Sequence, residues 1–126
     1  MTQDRREWQR SHGGLWFLEP TLLLLLHYGP AHGYTLIDQL AAYGLEELHP
    51  SIVYRTLRDM ETKDWVTSNW DTEGGQGPPR RVYRLTAVGD RILKDYVGDL
   101  EHARSCISDL VRAYHQHIEE GEGDYH

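Results

Sequence analysis

A chain of 126 residues with 39% hydrophobic content lies in the usual size range of a single domain and holds enough apolar matter for one modest core. Its longest apolar run, Leu22 to Leu26, ends at His27, far short of the roughly 18 residues of a membrane span; a single cysteine, Cys106, excludes an internal disulfide. The formal net charge of −7 excludes a uniformly basic surface: Lys and Arg outnumber Asp and Glu only over residues 50–85, by 6 to 5, whereas residues 99–126 hold 2 against 7.

Residues 1–14 are polar and form an N-terminal arm, with a short helix over Asp4 to Arg10 carrying Trp8 until Gly13 and Gly14 break it. Pro20 suits the first turn of a first helix, wholly buried, whose body is the leucine run and whose stop is Gly29-Pro30. A second helix follows Gly33, with Leu36, Ile37 and Leu40 on one side and Gly44 where a left-handed residue is wanted. His49-Pro50-Ser51 opens a third helix that runs to about Lys63. Val53, Leu57 and Met60 recur at i, i+4 and i+7 and form its inward stripe. Ser51, Arg55, Arg58 and Thr62 point the other way, with Tyr54 at the boundary.

Trp65 to Trp70 has the β-branched and aromatic content of a strand, Asp71 to Pro79 is a Gly/Pro turn region, and Arg81 to Leu85 alternates polar with apolar. These segments predict a β-hairpin, with Arg81 and Tyr83 on one face and Arg80, Val82 and Arg84 on the other. Thr86 is a good N-cap for a last helix of about 30 residues, free of proline through Ile118. Along it Tyr96, Leu100, Ala103, Ile107, Leu110 and Tyr114 step by 4, 3, 4, 3, 4, a heptad seam that wants a partner helix. The order helix, helix, helix, hairpin, long helix predicts a mainly α chain: a winged helix-turn-helix over 15–90, a dimerisation helix over 91–118 and an acidic tail over 119–126.

Three separated stretches, spanning about residues 20 to 97, resemble the PadR family of bacterial repressors. Leu23 to Tyr34, LLLLHYGPAHGY, resembles its leucine run, Gly-Pro and the His-Gly-Tyr that opens the second helix. Pro50, Val53-Tyr54 and Leu57-Arg58-Asp59-Met60-Glu61 resemble its recognition helix, and Pro79 to Thr86 with Gly89 its wing strand and the entry to the last helix. Two departures stand out. His49-Pro50-Ser51-Ile52-Val53-Tyr54-Arg55 replaces the usual Ser-Pro-Gly-Thr-Leu-Tyr-Pro, so the operator is not carried over, and Asp64 replaces a glycine at a cost in backbone strain.

The resemblance implies a repressor acting on double-stranded promoter DNA as a homodimer, relieved by a small effector that changes the angle between its two DNA-reading wings. The expected DNA contacts are Ser51, Tyr54, Arg55 and Arg58 on the third helix, with Arg80 and Arg81 on the wing. Solvated helix charge and protection of an edge strand are the competing readings of these arginines. Trp16 and Tyr96 are the candidate contacts for an aromatic effector, with packing between subunits as the alternative.

His102 and Cys106, at i and i+4, suit a shared metal, but no further ligand motif accompanies them, so neither a metal nor another cofactor is expected. No nucleophile elbow, phosphate loop or paired catalytic signature argues for an enzyme. The absence of a signal sequence and of a membrane span gives the expectation of a cytoplasmic protein. From a different class, the alternative is a winged-helix module that binds protein through its acidic surface and does not bind DNA.

Overall fold

The computed structural model describes residues 14–71 and 79–122. The arm expected over 1–14, except Gly14, and most of the expected wing tip lie outside the described residues, as does the end of the acidic tail. In chain order the elements are α1 (Gly14–Tyr28), β1 (Ala31–His32), α2 (Gly33–Leu40), a 3-10 turn (Ala41–Tyr43) and α3 (Pro50–Thr62). They continue with β2 (Val66–Asp71), β3 (Arg80–Leu85), α4 (Ala87–His117) and a π-type turn (Ile118–Glu122).

Helix α1 begins six residues before Pro20, which therefore sits inside the helix and not in its first turn. Proline supplies no N–H to the preceding turn, a loss offset here by burial of most of the helix body: Leu18, Leu22, Leu23, Leu25 and Leu26 are buried and Leu24 is half-buried. The expectation of a wholly buried helix is corrected at both ends, where Trp16, Phe17 and Tyr28 are exposed.

Helix α2 buries Leu36 and Leu40, and Gly44 caps the following turn with φ 78°, the left-handed conformation expected there. Helix α3 opens with Pro50 at its first position and His49 as N-cap, whose Nδ1 accepts from the Ser51 N–H at 3.1 Å. Its stripe Val53, Leu57 and Met60 is fully enclosed, and with Leu18, Leu22, Leu23, Leu36, Leu40 and Val66 it makes up the centre of the core. Asp64 turns the chain out of α3 with φ 64°, in the left-handed region where glycine was expected from the resemblance.

The expected two-stranded hairpin is corrected to a three-stranded antiparallel sheet of order β1-β3-β2. Strand β1 has only two residues, pairing Ala31 with Tyr83 and His32 with Val82. On the other edge β2 pairs with β3 in a register that sets Ser68 against Tyr83 and Trp70 against Arg81. At the start of α4 the Thr86 hydroxyl accepts from the Gly89 N–H at 2.9 Å, as an N-cap does, and donates to the Asp64 carbonyl at 2.6 Å.

The chain divides into two compact units between Leu93 and Lys94. Among the described residues the first holds α1, α2, α3, the sheet and the opening turns of α4, where Gly89 and Leu93 are buried. In the second, the seam residues Tyr96, Leu100 and Ala103 are half-buried, whereas Ile107, Leu110 and Tyr114 are 58%, 72% and 55% exposed. No helix among the described residues is long and apolar enough to cross a membrane.

Candidate nucleic-acid interface

The burial of Val53, Leu57 and Met60 forces the opposite face of α3 outward, so Ser51, Tyr54, Arg55 and Arg58 are all exposed. Ser51 is held at the helix entrance by its hydroxyl, 2.8 Å from Nδ1 of His49. Tyr54 is anchored through its ring: a side chain added at Gly33 would stand 2.5 Å from its Cε1, so α2 begins flush against it. That packing leaves an aromatic body fixed on the domain at the edge of the exposed face.

Strand β3 carries the two wing arginines to opposite faces of the sheet, as its alternation requires. Arg81 is half-buried, donates from Nη1 to the Ser68 hydroxyl at 2.8 Å and lies 4.4 Å from the centre of the Trp70 ring. Ser68 in turn donates to the Glu61 carboxylate, its oxygen 2.9 and 3.0 Å from the two carboxylate oxygens. Tyr54, Arg58, Glu61, Arg81 and Tyr83 thereby line one open cleft of about 410 Å³ between α3 and the sheet. Burial, the largest influence, raises the Tyr83 phenol above its ordinary value of 10.0, so it lines the cleft as a neutral group.

Arg80 takes the other direction. It donates to the Tyr34 hydroxyl at 3.1 Å and lies over that ring, which stacks on His32. His32 bridges from β1 to Asp71 of β2 with 3.1 Å between Nε2 and Oδ2. Of the six residues expected at a DNA surface, Tyr54, Arg58 and Arg81 therefore meet at one cleft, Ser51 and Arg55 extend the α3 face, and Arg80 stands apart.

Glu61, Ser68, Trp70 and Tyr83 are not among the residues expected at the DNA surface, nor are His32, Tyr34 and Asp71. Their contacts across elements depend on strand register; along the chain, only the step from Arg58 to Glu61, one helical turn, and the alternation that puts Tyr83 on the face of Arg81 are legible. Trp16 is exposed on α1 with Phe17 packed edge-on to it at 4.6 Å. Tyr96 belongs to the second unit and is half-buried. The His102 and Cys106 side chains meet at 3.7 Å, but among the described residues no group of three or more His, Cys, Asp or Glu side chains could hold a metal ion.

Three helices packed around a leucine core, a third helix with a polar outer face, a small antiparallel sheet and a long last helix define a winged helix-turn-helix protein. The chain belongs to the PadR-like family of transcriptional regulators, whose model matches residues 22–95. It is accordingly a DNA-binding regulator and not an enzyme.

Among solved structures, a conserved protein considered a potential transcriptional factor, TM0937, is 31% identical. The match covers 94% of this chain and 98% of that one, with a TM-score of 0.72. A PadR-like transcription factor from Bacteroides fragilis is 27% identical over 80% of this chain and 96% of its own, with a TM-score of 0.66. A PadR family transcriptional regulator from Eggerthella lenta is 28% identical over 81% and 91%, with a TM-score of 0.63. A comparison with curated proteins finds no match.

Proposed function

We propose that this regulator is a cytoplasmic repressor that binds promoter DNA as a homodimer. Residues 15–90 act as the DNA-reading domain, 91–118 as the dimerisation helix, 1–14 as an arm assisting assembly and 119–126 as an acidic tail held away from phosphate. The observation that carries the reading is the joining of two elements at one surface. The exposed face of α3 presents Ser51, Tyr54, Arg55 and Arg58, and the wing brings Arg81 to the same cleft as Tyr54 and Arg58.

An exposed helix of this kind enters the major groove, where arginine bonds guanine edges, while the wing and Arg80 lie along the flanking backbone. Two copies joined through Tyr96, Leu100, Ala103, Ile107, Leu110 and Tyr114 would set their α3 helices in successive major grooves roughly 34 Å apart. Exposure of Ile107, Leu110 and Tyr114 in the single chain supports that pairing, since a heptad seam of this size is normally covered.

Occupancy of the promoter accounts for repression. Relief comes from an aromatic effector that stacks on Trp16 or Tyr96 and shifts the dimer away from its DNA-competent form. Titration of the protein against duplex DNA at low and moderate salt tests the first step: binding must weaken steeply as salt rises. Salt-independent binding, or none, defeats it. A compound that changes tryptophan emission and loosens DNA together supports the second step, and a set of aromatic compounds of which none does both defeats it.

A further inference from the structure

We infer that the cleft between α3 and the wing seats a single phosphate of the DNA backbone, with Ser68 and Glu61 as the residues that position Arg81 for it. The inference rests on the DNA contact proposed above and adds to it a specific socket with a specific support.

The cleft has the composition such a ligand requires. Arg58 and Arg81 supply two positive charges and Glu61 one negative, so the lining carries one net positive charge, matched to the one negative charge of a phosphodiester. Tyr54 contributes an aromatic wall, and Tyr83, its phenol kept protonated by burial, adds no charge. The cleft, at about 410 Å³, has volume for a phosphate with part of its sugar, and its walls belong to α3 and the wing, the two elements proposed above to meet DNA.

Arg81 is prepared for the contact. An arginine on a wing strand ordinarily samples many rotamers and loses that freedom on binding. Here its guanidinium is held on one side by the Ser68 oxygen at 2.8 Å and on the other by the Trp70 ring at 4.4 Å. Ser68 is itself fixed, because its proton is directed to the Glu61 carboxylate and its lone pair is thereby presented to Arg81. The run from Glu61 through Ser68 to Arg81 ties the end of α3 to both strands of the wing, so the Arg81 guanidinium is fixed relative to α3 before DNA arrives. Glu61 also tempers the site: without its charge the cleft would hold two uncompensated cations and favour any phosphate more strongly.

The experiment uses the full-length protein and the duplex that it selects from a random-sequence pool. Single phosphates are replaced one at a time by neutral methylphosphonates. In each half-site one linkage is expected at which the neutral group costs the wild-type protein on the order of tenfold in affinity. The same linkage should cost Arg58→Ala and Arg81→Ala almost nothing, because the contact is already gone. Ser68→Ala, checked by circular dichroism for an intact fold, should lose most of that penalty although Arg81 is present, and Ser68→Thr should restore it. Glu61→Gln, which keeps an oxygen for the Ser68 hydroxyl, should bind random duplex more tightly than the wild type.

A full penalty in Ser68→Ala overturns the positioning role, and weaker random binding by a folded Glu61→Gln overturns the tempering role given to the Glu61 charge. A selected duplex with no linkage shared by the two arginines overturns the socket and leaves the DNA reading standing. If the protein selects no duplex at all, the DNA reading falls and the socket with it.

Discussion

The α-carbon of Gly89 lies directly against the carbonyl oxygen of Trp65, so closely that any side chain at 89 would overlap that oxygen. Thr86 bonds on the same spot, accepting from the Gly89 N–H and donating to the Asp64 carbonyl. This seam fastens the first turn of α4 to the corner where α3 gives way to β2. The Gly89→Ala substitution should therefore lose about 1 to 3 kcal/mol of stability, because backbone must shift to relieve the overlap. Gly98→Ala is the control: it lies on the same helix with open space around its α-carbon and should gain about 1 kcal/mol. Denaturant melts of the two variants should move in opposite directions, and a stable Gly89→Ala protein would contradict the close approach.

At the same corner, Asp64 holds φ 64° without being glycine. A side chain in the left-handed region costs about 1 to 2 kcal/mol, less for aspartate, and glycine in turn has more unfolded-state freedom to lose. Asp64→Gly should consequently raise stability by up to about 1 kcal/mol, seen as a higher urea midpoint with an unchanged slope. A lower midpoint would mean that the aspartate side chain itself holds the turn.

Most of the architecture could be read along the chain because local periodicity carries it. The stripe Val53, Leu57 and Met60 is a one-dimensional pattern, and so is the alternation that sends Arg80 and Arg81 to opposite faces. Thr86 and Gly44 are likewise local, since a cap is decided within one turn. What escaped was non-local. Strand β1 consists of Ala31 and His32, too short to show alternation, and exists because Tyr83 and Val82 offer it an edge. Helix α1 extends before Pro20 because burial of Leu18 and its neighbours outweighs the missing hydrogen bond. The link from Arg81 through Ser68 to Glu61 spans three elements and follows from a register that places Ser68 opposite Tyr83 and Trp70 opposite Arg81. A shift of one residue would have turned Ser68 to the other face.

Assembly is tested on the second unit. Ile107 and Leu110 are exposed in the single chain, so Asp at either position leaves the chain's own core untouched while placing a charge where the proposed partner helix packs. Sedimentation should show a wild-type dimer and a helical, folded monomer for Ile107→Asp and Leu110→Asp. Variants that sediment as unchanged dimers would remove the heptad seam from the interface.

Reading and anchoring should separate between α3 and the wing. Arg55 is exposed on the outer face of α3, while Val53, Leu57 and Met60 hold the helix to the core, so Arg55→Ala should leave the fold intact. If Arg55 bonds a base edge, its loss costs about 1 to 3 kcal/mol on the selected site and much less on random duplex, so specificity relaxes. Arg81 belongs to the wing and faces the cleft shared with Tyr54 and Arg58. Its replacement by alanine should weaken selected and random binding alike and reduce the salt slope by about one unit, the signature of a lost phosphate contact. The measurement is a pair of affinities at several salt concentrations for each variant, with thermal stability as the control. Wild-type affinity on both duplexes for the two folded variants would contradict the placement of α3 and the wing on DNA, because neither arginine would then be touching it.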